Sequence, residues 1–322
     1  MKTALALPAK RDERWDLAAE IGVEQAVIHP YMSQVENGRR GDTPWEFDDL
    51  LRLKNSFEET GLDVGVIEAG TPLTDTTRLG LDGRDEEIDR FCEFVETMGQ
   101  LDIPILCYSW MTHFWWLRTT TTFPTRGGSW TTAYDHEQMQ RGPPVPYDGV
   151  TEEDLWENLE YFLERAVPVA EDAGVRLSMH PDDPPLSPVR GMPRIMTSVE
   201  AYDRMLDIYP SEANSVNFCQ GNFVAMGADI PETIRHFGDD ISFVHFRDIK
   251  GDAETLVEVW QDDGPTNMHA AMEAYRDIGF DGPARPDHVP TMSGEKNESA
   301  GYESKGRLFA IGYMKGLIEA TY

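Results

Sequence analysis

The chain has 322 residues, 40% of them hydrophobic and 10% aromatic, which suffices for one large core and excludes a disordered chain. Its 58 acidic against 28 basic residues leave a formal charge of −30, which excludes nucleic acid as a partner because phosphates would be repelled. No apolar run approaches the ~18 residues that span a bilayer, and the apolar start (1–8) is too short for a signal segment before KRDER (10–14). The expectation is a soluble, cytoplasmic protein with no membrane partner. Its acids are spread along the chain rather than gathered in a tail, so they coat a folded surface, as in halophilic proteins that fold in salt-rich cytoplasm. Cys92, Cys107 and Cys219 are too few for a disulfide framework.

In chain order, residues 4–8 read as an apolar strand and 12–21 as a short helix. QAVIHP (25–30) is a second strand ending in His29. After a polar loop (33–43), a helix runs from about 44 to 60, with Thr43 as its N-cap and Pro44 at its first position. DVGVIEA (63–69) is the third strand, ending near Glu68. Ile88, Phe91, Cys92 and Val95 share one face of a helix over 85–98, and IPILCYSW (103–110) is the fourth strand. From 111 to 149 no period emerges; this excursion holds Trp115, Trp116, a four-threonine run, Gly127-Gly128 and Pro143-Pro144. A connection that long in a compact domain is expected to serve as a lid, a binding loop or an oligomer interface. Helices then follow at 152–173, 199–208, 230–237, 267–278 and 302–320, alternating with strands at 175–179, 215–218, 241–246 and 282–285.

About eight strands alternating with helices predict an α/β fold with a parallel sheet and helical crossovers. The count points to a single-domain (β/α)8 TIM barrel over 1–322, with its active site at the C-terminal strand ends. No Gly-x-Gly-x-x-Gly follows the first strand, which leaves a dinucleotide-binding open sheet without support.

His180 ends the fifth strand, where PDDPP (181–185) makes a stiff acidic turn and proline excludes a helix. Cys219, His245 and Asp287 end the sixth, seventh and eighth strands. In a barrel these ends are neighbours, so two imidazoles, a thiolate and a carboxylate converge as a metal site would require. Singly, each has a plainer reading: a core thiol for Cys219, a strand-end hydrogen bond for His245, a salt bridge to Arg285 or Arg247 for Asp287. Zn²⁺, Fe²⁺ and Mn²⁺ all accept imidazole and carboxylate, while the thiolate favours Zn²⁺ or Fe²⁺. His288 is a candidate general base or acid, and Tyr302, at the expected start of the last helix, a candidate acid. Arg247 and Arg285 are candidate clamps for a substrate carboxylate, and Tyr108 and Asn222 complete the substrate-binding candidates.

MHPDDPP (179–185), NFCQGN (217–222), FVHFRDI (243–249), RPDH (285–288), GYESKGRL (301–308) and CYSWM (107–111) with WLRT (116–119) together resemble D-mannonate dehydratase of the UxuA type, from about residue 64 onward. The resemblance implies a (β/α)8 lyase that uses Mn²⁺ or Fe²⁺ to dehydrate D-mannonate to 2-keto-3-deoxy-D-gluconate in hexuronate degradation. It implies His180, Cys219, His245 and Asp287 as metal ligands and His288 with Tyr302 as the catalytic pair. It also moves the expected metal from Zn²⁺ towards Mn²⁺ or Fe²⁺. Two departures border the site: Val289-Pro290 stand where the family has Gly-His, and Gln220-Gly-Asn222 where it has Thr-Gly-Ser. The expected partner is a small sugar acid, within a homo-oligomer. Two alternatives stay open: another metal-dependent TIM-barrel sugar or sugar-acid isomerase or epimerase, and a non-catalytic sugar-acid-binding barrel. The isomerase sites lean on strand-end glutamates, of which only Glu68 is found here, and a pure binder has no use for a proton-transfer pair.

Overall fold

In the computed structural model, which describes residues 1–29, 46–147 and 149–322, the apolar runs become strands buried on both faces. The first half comprises β1 (Lys2–Leu7), α1 (Glu13–Glu20), β2 (Gln25–Ile28), α2 (Phe47–Glu58), β3 (Asp63–Glu68), α3 (Asp75–Arg78), α4 (Arg84–Gln100) and β4 (Ile105–Ser109). Next come β5 (Thr120–Pro124), β6 (Trp130–Asp135), α5 (His136–Gln140) and α6 (Glu152–Ala173). The second half is β7 (Arg176–His180), α7 (Val199–Ile208), β8 (Asn214–Cys219), α8 (Gln220–Ala225), α9 (Ile230–Phe237), β9 (Ile241–Phe246), β10 (Ile249–Lys250), β11 (Thr255–Glu258), α10 (Met268–Asp277), β12 (Pro283–Pro286) and α11 (Ser304–Thr321). The Thr43–Pro44 helix start expected from the sequence lies outside the described residues.

Eight parallel strands close into a barrel in the order β1-β12-β9-β8-β7-β4-β3-β2. The pleat sorts their side chains. Ala4, Val27, Val66, Ile105, Cys107 and Phe243 fill the barrel interior. Their neighbours, such as Leu106 and Tyr108, pack outward against the helices in the main core. Because every barrel strand points the same way, all eight C-terminal ends open on one mouth. Among the described residues no helix is long and apolar enough to cross a membrane.

The excursion after β4 departs from the expectation of an aperiodic loop. Its β5 and β6 pair antiparallel and join a hairpin, β10–β11, that follows β9 directly; the four form a side sheet ordered β10-β11-β6-β5. Neither excursion strand carries an alternating pattern, which is why periodicity misses them. β5 is largely exposed, and β6 is buried through its middle on both faces. The sheet is tied to the loop after β12 by a two-bond bridge: Trp130 N donates to Thr291 O at 3.0 Å and Thr291 N to Trp130 O at 2.8 Å.

α3 is a single turn, too short to hold itself. Glu87, on α4, holds it: its buried carboxylate accepts from Thr74 N (3.0 Å), Thr74 Oγ1 (2.6 Å), Thr77 N (3.0 Å) and Thr77 Oγ1 (2.5 Å). Burial alone would raise its pKa, yet these four donors hold it below the usual glutamate range. Glu87→Gln is expected to cost about 2 kcal/mol, because an amide cannot accept all four bonds. The folded-state pKa lies below the unfolded one, so this contribution is complete above about pH 4.3 and fades as pH falls through the folded value. Urea unfolding of both proteins at neutral and acid pH checks this; an equal gap at the two pH values would refute it.

Candidate active site

β7 delivers His180 to the mouth. Its Nδ1 lies 2.7 Å from Pro181 O, and since a carbonyl only accepts, Nδ1 carries the proton and Nε2 is left to bind elsewhere. The two aspartates of the turn divide their work. Asp182 braces the turn, accepting from Met196 N at 2.9 Å. Asp183 faces inward and takes Arg118 Nη1 at 2.6 Å and Arg247 Nη2 at 2.8 Å.

Cys219 and His245 are paired in register at the ends of β8 and β9. Donor atoms of His180, Cys219 and His245 all lie within 4.8 Å of one another. Asp287, just beyond β12, joins them: its Oδ2 is 3.6 Å from His245 Nδ1 and 4.0 Å from Cys219 Sγ. The four side chains expected at successive strand ends therefore do converge. Two observations test whether a divalent cation fits there. His245 is 1% exposed, and its ring nitrogens face Glu68 Oε1 at 3.3 Å and Asp287 Oδ2 at 3.6 Å without well-formed hydrogen bonds, an arrangement that a metal ion would complete. The surrounding network sets four carboxylates (Glu68, Asp183, Glu258, Asp287) against three guanidiniums (Arg118, Arg247, Arg285), an excess of one negative charge before the Cys219 thiol is counted. The donor set and the charge both fit a divalent cation.

His288 and Tyr302 stand beside this set with rings 5.4 Å apart and perpendicular. His288 adopts a left-handed backbone (φ 45°) and is anchored by the bridge from Val289 N to Gly301 O. Gly301 permits the approach, since a Cβ there would lie 3.2 Å from His288 Cδ2. Tyr302 lies two residues before α11, not within it, and its hydroxyl donates to Asp287 Oδ1 at 3.0 Å. Burial and the Asp287 carboxylate hold its phenol protonated well beyond the usual tyrosine range. Asp287 itself would be raised by burial, but His288, Arg285, His245 and Arg247 hold it well below the carboxylate range.

A cavity of about 180 Å³ opens here, bounded by His180, His245, Asp287, His288 and Tyr302 on one side and by Met111, Trp115 and Trp116 on the other. The substrate-binding candidates are placed differently from the metal-ligand candidates. Arg247 is fully buried and does not line the cavity; its guanidinium is taken by Glu258, Asp183 and Asp287, with Nε also 3.2 Å from Cys219 Sγ. Arg285 reaches the cavity, but it pairs bidentately with Glu68 (2.8 and 2.6 Å) and donates to Asp287 at 2.8 Å. The expected carboxylate clamp is therefore committed to the protein's own acids. Tyr108 borders the cavity, but its ring packs between Phe91 and Phe162 on the helix side of β4, because Cys107 before it takes the inward position. Asn222 is buried in α8, away from the cavity lining.

Several groups in or behind the cavity carried no sequence signal. His29, noted only as a strand end, lines the cavity, and burial pushes its pKa down to about 4, so it is neutral. Arg78 arrives on α3 and donates through Nε and Nη2 to Ser109 O. Glu258, from the side sheet, accepts from His288 Nδ1 at 2.9 Å.

The family model for D-mannonate dehydratase (UxuA) matches residues 15–144 and 145–322. The chain belongs to the D-mannonate dehydratase family. The match starts well before residue 64, where the motif resemblance begins. A protein named mannonate dehydratase 2 from Halalkalibacterium halodurans is 34% identical over 307 residues, covering 86% of this chain and 88% of its own. Mannonate dehydratase from Thermotoga maritima is 34% identical over 313 residues, 86% of each chain. The crystal structure of mannonate dehydratase from Streptococcus suis superposes with a TM-score of 0.90 at 30% identity, over 100% of this chain and 95% of that one. A D-psicose 3-epimerase from Clostridium cellulolyticum (TM-score 0.62, 13% identity) shares the barrel fold alone with this dehydratase-family chain.

Proposed function

We propose that the protein is a metal-dependent hydro-lyase that converts D-mannonate to 2-keto-3-deoxy-D-gluconate and water. The observation that carries this is that His180, Cys219 and His245 gather their donor atoms within 4.8 Å, with Asp287 against two of them, beside the cavity that His288 and Tyr302 line. Family membership and relatives named mannonate dehydratase support it. His180, Cys219, His245 and Asp287 would hold the ion, Mn²⁺ or Fe²⁺ by family likeness. Bound there, it supplies Lewis-acid stabilisation of the charge that develops beside the substrate carboxylate.

The protein's own groups do the rest. His288, which lines the cavity, takes the C2 proton through Nε2, the ring nitrogen not engaged by Glu258. Tyr302 gives its hydroxyl proton to the C3 hydroxyl, which leaves as water. The resulting enol takes a proton at C3 and releases one from its C2 hydroxyl, giving the 2-keto-3-deoxy product. Trp115 and Trp116 cover the cavity with apolar surface that excludes bulk water.

A turnover assay on metal-stripped protein in molar KCl, with Mn²⁺, Fe²⁺ or Zn²⁺ restored, tests the reading. Product from D-mannonate with Mn²⁺ or Fe²⁺ is expected; metal binding with no turnover would discard this substrate. The formal net charge of −30 belongs to the same picture of a salt-rich setting. The thermal midpoint is expected to climb by several degrees from dilute buffer to molar KCl, and a flat response would remove the halophilic reading.

A further inference from the structure

Glu258 lies on the side sheet, outside the barrel strands and the motifs, yet it is fully buried against His288. Its Oε1 accepts from His288 Nδ1 at 2.9 Å, and Arg247 Nη1 lies 2.9 Å from both of its oxygens. Arg118 Nη2 donates to the same Oε1. A carboxylate against two guanidiniums in a buried site is ionised, and an ionised carboxylate only accepts. The proton between Glu258 and His288 therefore belongs to Nδ1. In the neutral ring this leaves Nε2 bare, and Nε2 is the atom needed for proton abstraction. Trp116, 4.8 Å away and tilted by 38°, and the perpendicular Tyr302 ring, 5.4 Å away, pack against the imidazole.

Donor atoms of Asp183, Glu258 and His288 lie within 4.8 Å of one another, which resembles a second cation site. The guanidiniums decide against that. Arg118 and Arg247 each contact both carboxylates and would repel an added cation.

We infer that Glu258 is a positioning residue that holds His288 as its Nδ1–H tautomer with Nε2 aimed at the substrate, and that the side sheet exists to deliver it. This rests on His288 being the proton acceptor. The excursion then contributes to the chemistry as well as covering the cavity: β6 carries the β11 strand, Arg118 enters from the excursion, and Asp183 ties both to the β7 turn.

Two measurements test this. The first is ¹⁵N-histidine NMR of the full-length protein loaded with a diamagnetic divalent ion, with the His288 signal assigned by its loss in His288→Ala. An Nδ1–H tautomer is expected in the wild type; an Nε2–H tautomer would overturn the inference. This reading stands whether or not any Glu258 variant folds. The second is kinetic. Glu258→Gln replaces the anion with an amide that donates as readily as it accepts, so Nδ1–H is no longer enforced. In serine proteases the orienting carboxylate is worth about 10⁴ in kcat. Here kcat is expected to fall by about 100-fold or more, with KM within about threefold and metal-induced stabilisation unchanged. The effect should vanish in a His288→Ala background, because Glu258 acts only through that ring. If Glu258→Gln kept kcat within about threefold while His288→Ala was inactive, Glu258 would lose its role and His288 would keep its own. Activity in His288→Ala would instead bring down the proton-acceptor reading and this inference with it.

Discussion

Replacing His288 by alanine is expected to lower kcat on D-mannonate by about 10³, with little change in metal-induced stabilisation. His288 is outside the donor set, and Glu258 would keep both arginines without it, so the site should hold together. Tyr302→Phe keeps the ring edge against His288 and removes only the hydroxyl bonded to Asp287. Its expected loss is smaller, about 10². The two variants should separate the steps. Wild-type enzyme in D₂O exchanges the C2 hydrogen of the substrate if proton removal precedes departure of the C3 hydroxyl. Tyr302→Phe should retain that exchange and His288→Ala should lose it. The reverse pattern would exchange the roles of the two residues.

The barrel was legible because parallel strands buried on both faces leave short apolar runs between helices of period 3.6. Glu152–Ala173, Val199–Ile208, Ile230–Phe237 and Ile241–Phe246 have the bounds that such patterns give. The meeting of His180, Cys219, His245 and Asp287 was legible because each ends a run or directly follows one. The charge network was not legible. Arg285 meets Glu68 across 217 residues of sequence and Arg118 meets Glu258 across 140, and an ion pair leaves no periodic trace. Arg247 and Arg285 therefore looked available when both were already committed. Tyr108 borders the cavity, yet its ring sits among the helix-side aromatics. With Cys107 facing the barrel axis, the pleat alone turns Tyr108 outward.

Removing the thiol, in Cys219→Ala, is expected to weaken metal binding by more than about 100-fold, since even outer partners of metal ligands are worth 10- to 100-fold. The fold should tolerate the change. Cys219 is a small buried side chain, and Arg247, whose Nε faces its sulfur, keeps Glu258, Asp183 and Asp287 as acceptors. The consequence can be read without turnover. At a metal concentration of about 100 times the wild-type Kd, binding stabilises the wild type by about 2.7 kcal/mol, and a variant 100-fold weaker by only about 0.4 kcal/mol. The metal-dependent rise in melting temperature, about 5 °C for the wild type, should nearly disappear. Cys219→Ser goes further. It replaces a soft donor with a hard one, so binding of Zn²⁺ and Fe²⁺ should suffer more than binding of Mn²⁺. Titrating each ion into the stripped variants and following the melt gives both the affinity and the order of preference. If Cys219→Ala kept the full metal-dependent shift, His180, His245 and Asp287 would be the whole ligand set, and the thiol would belong to the core beside Arg247.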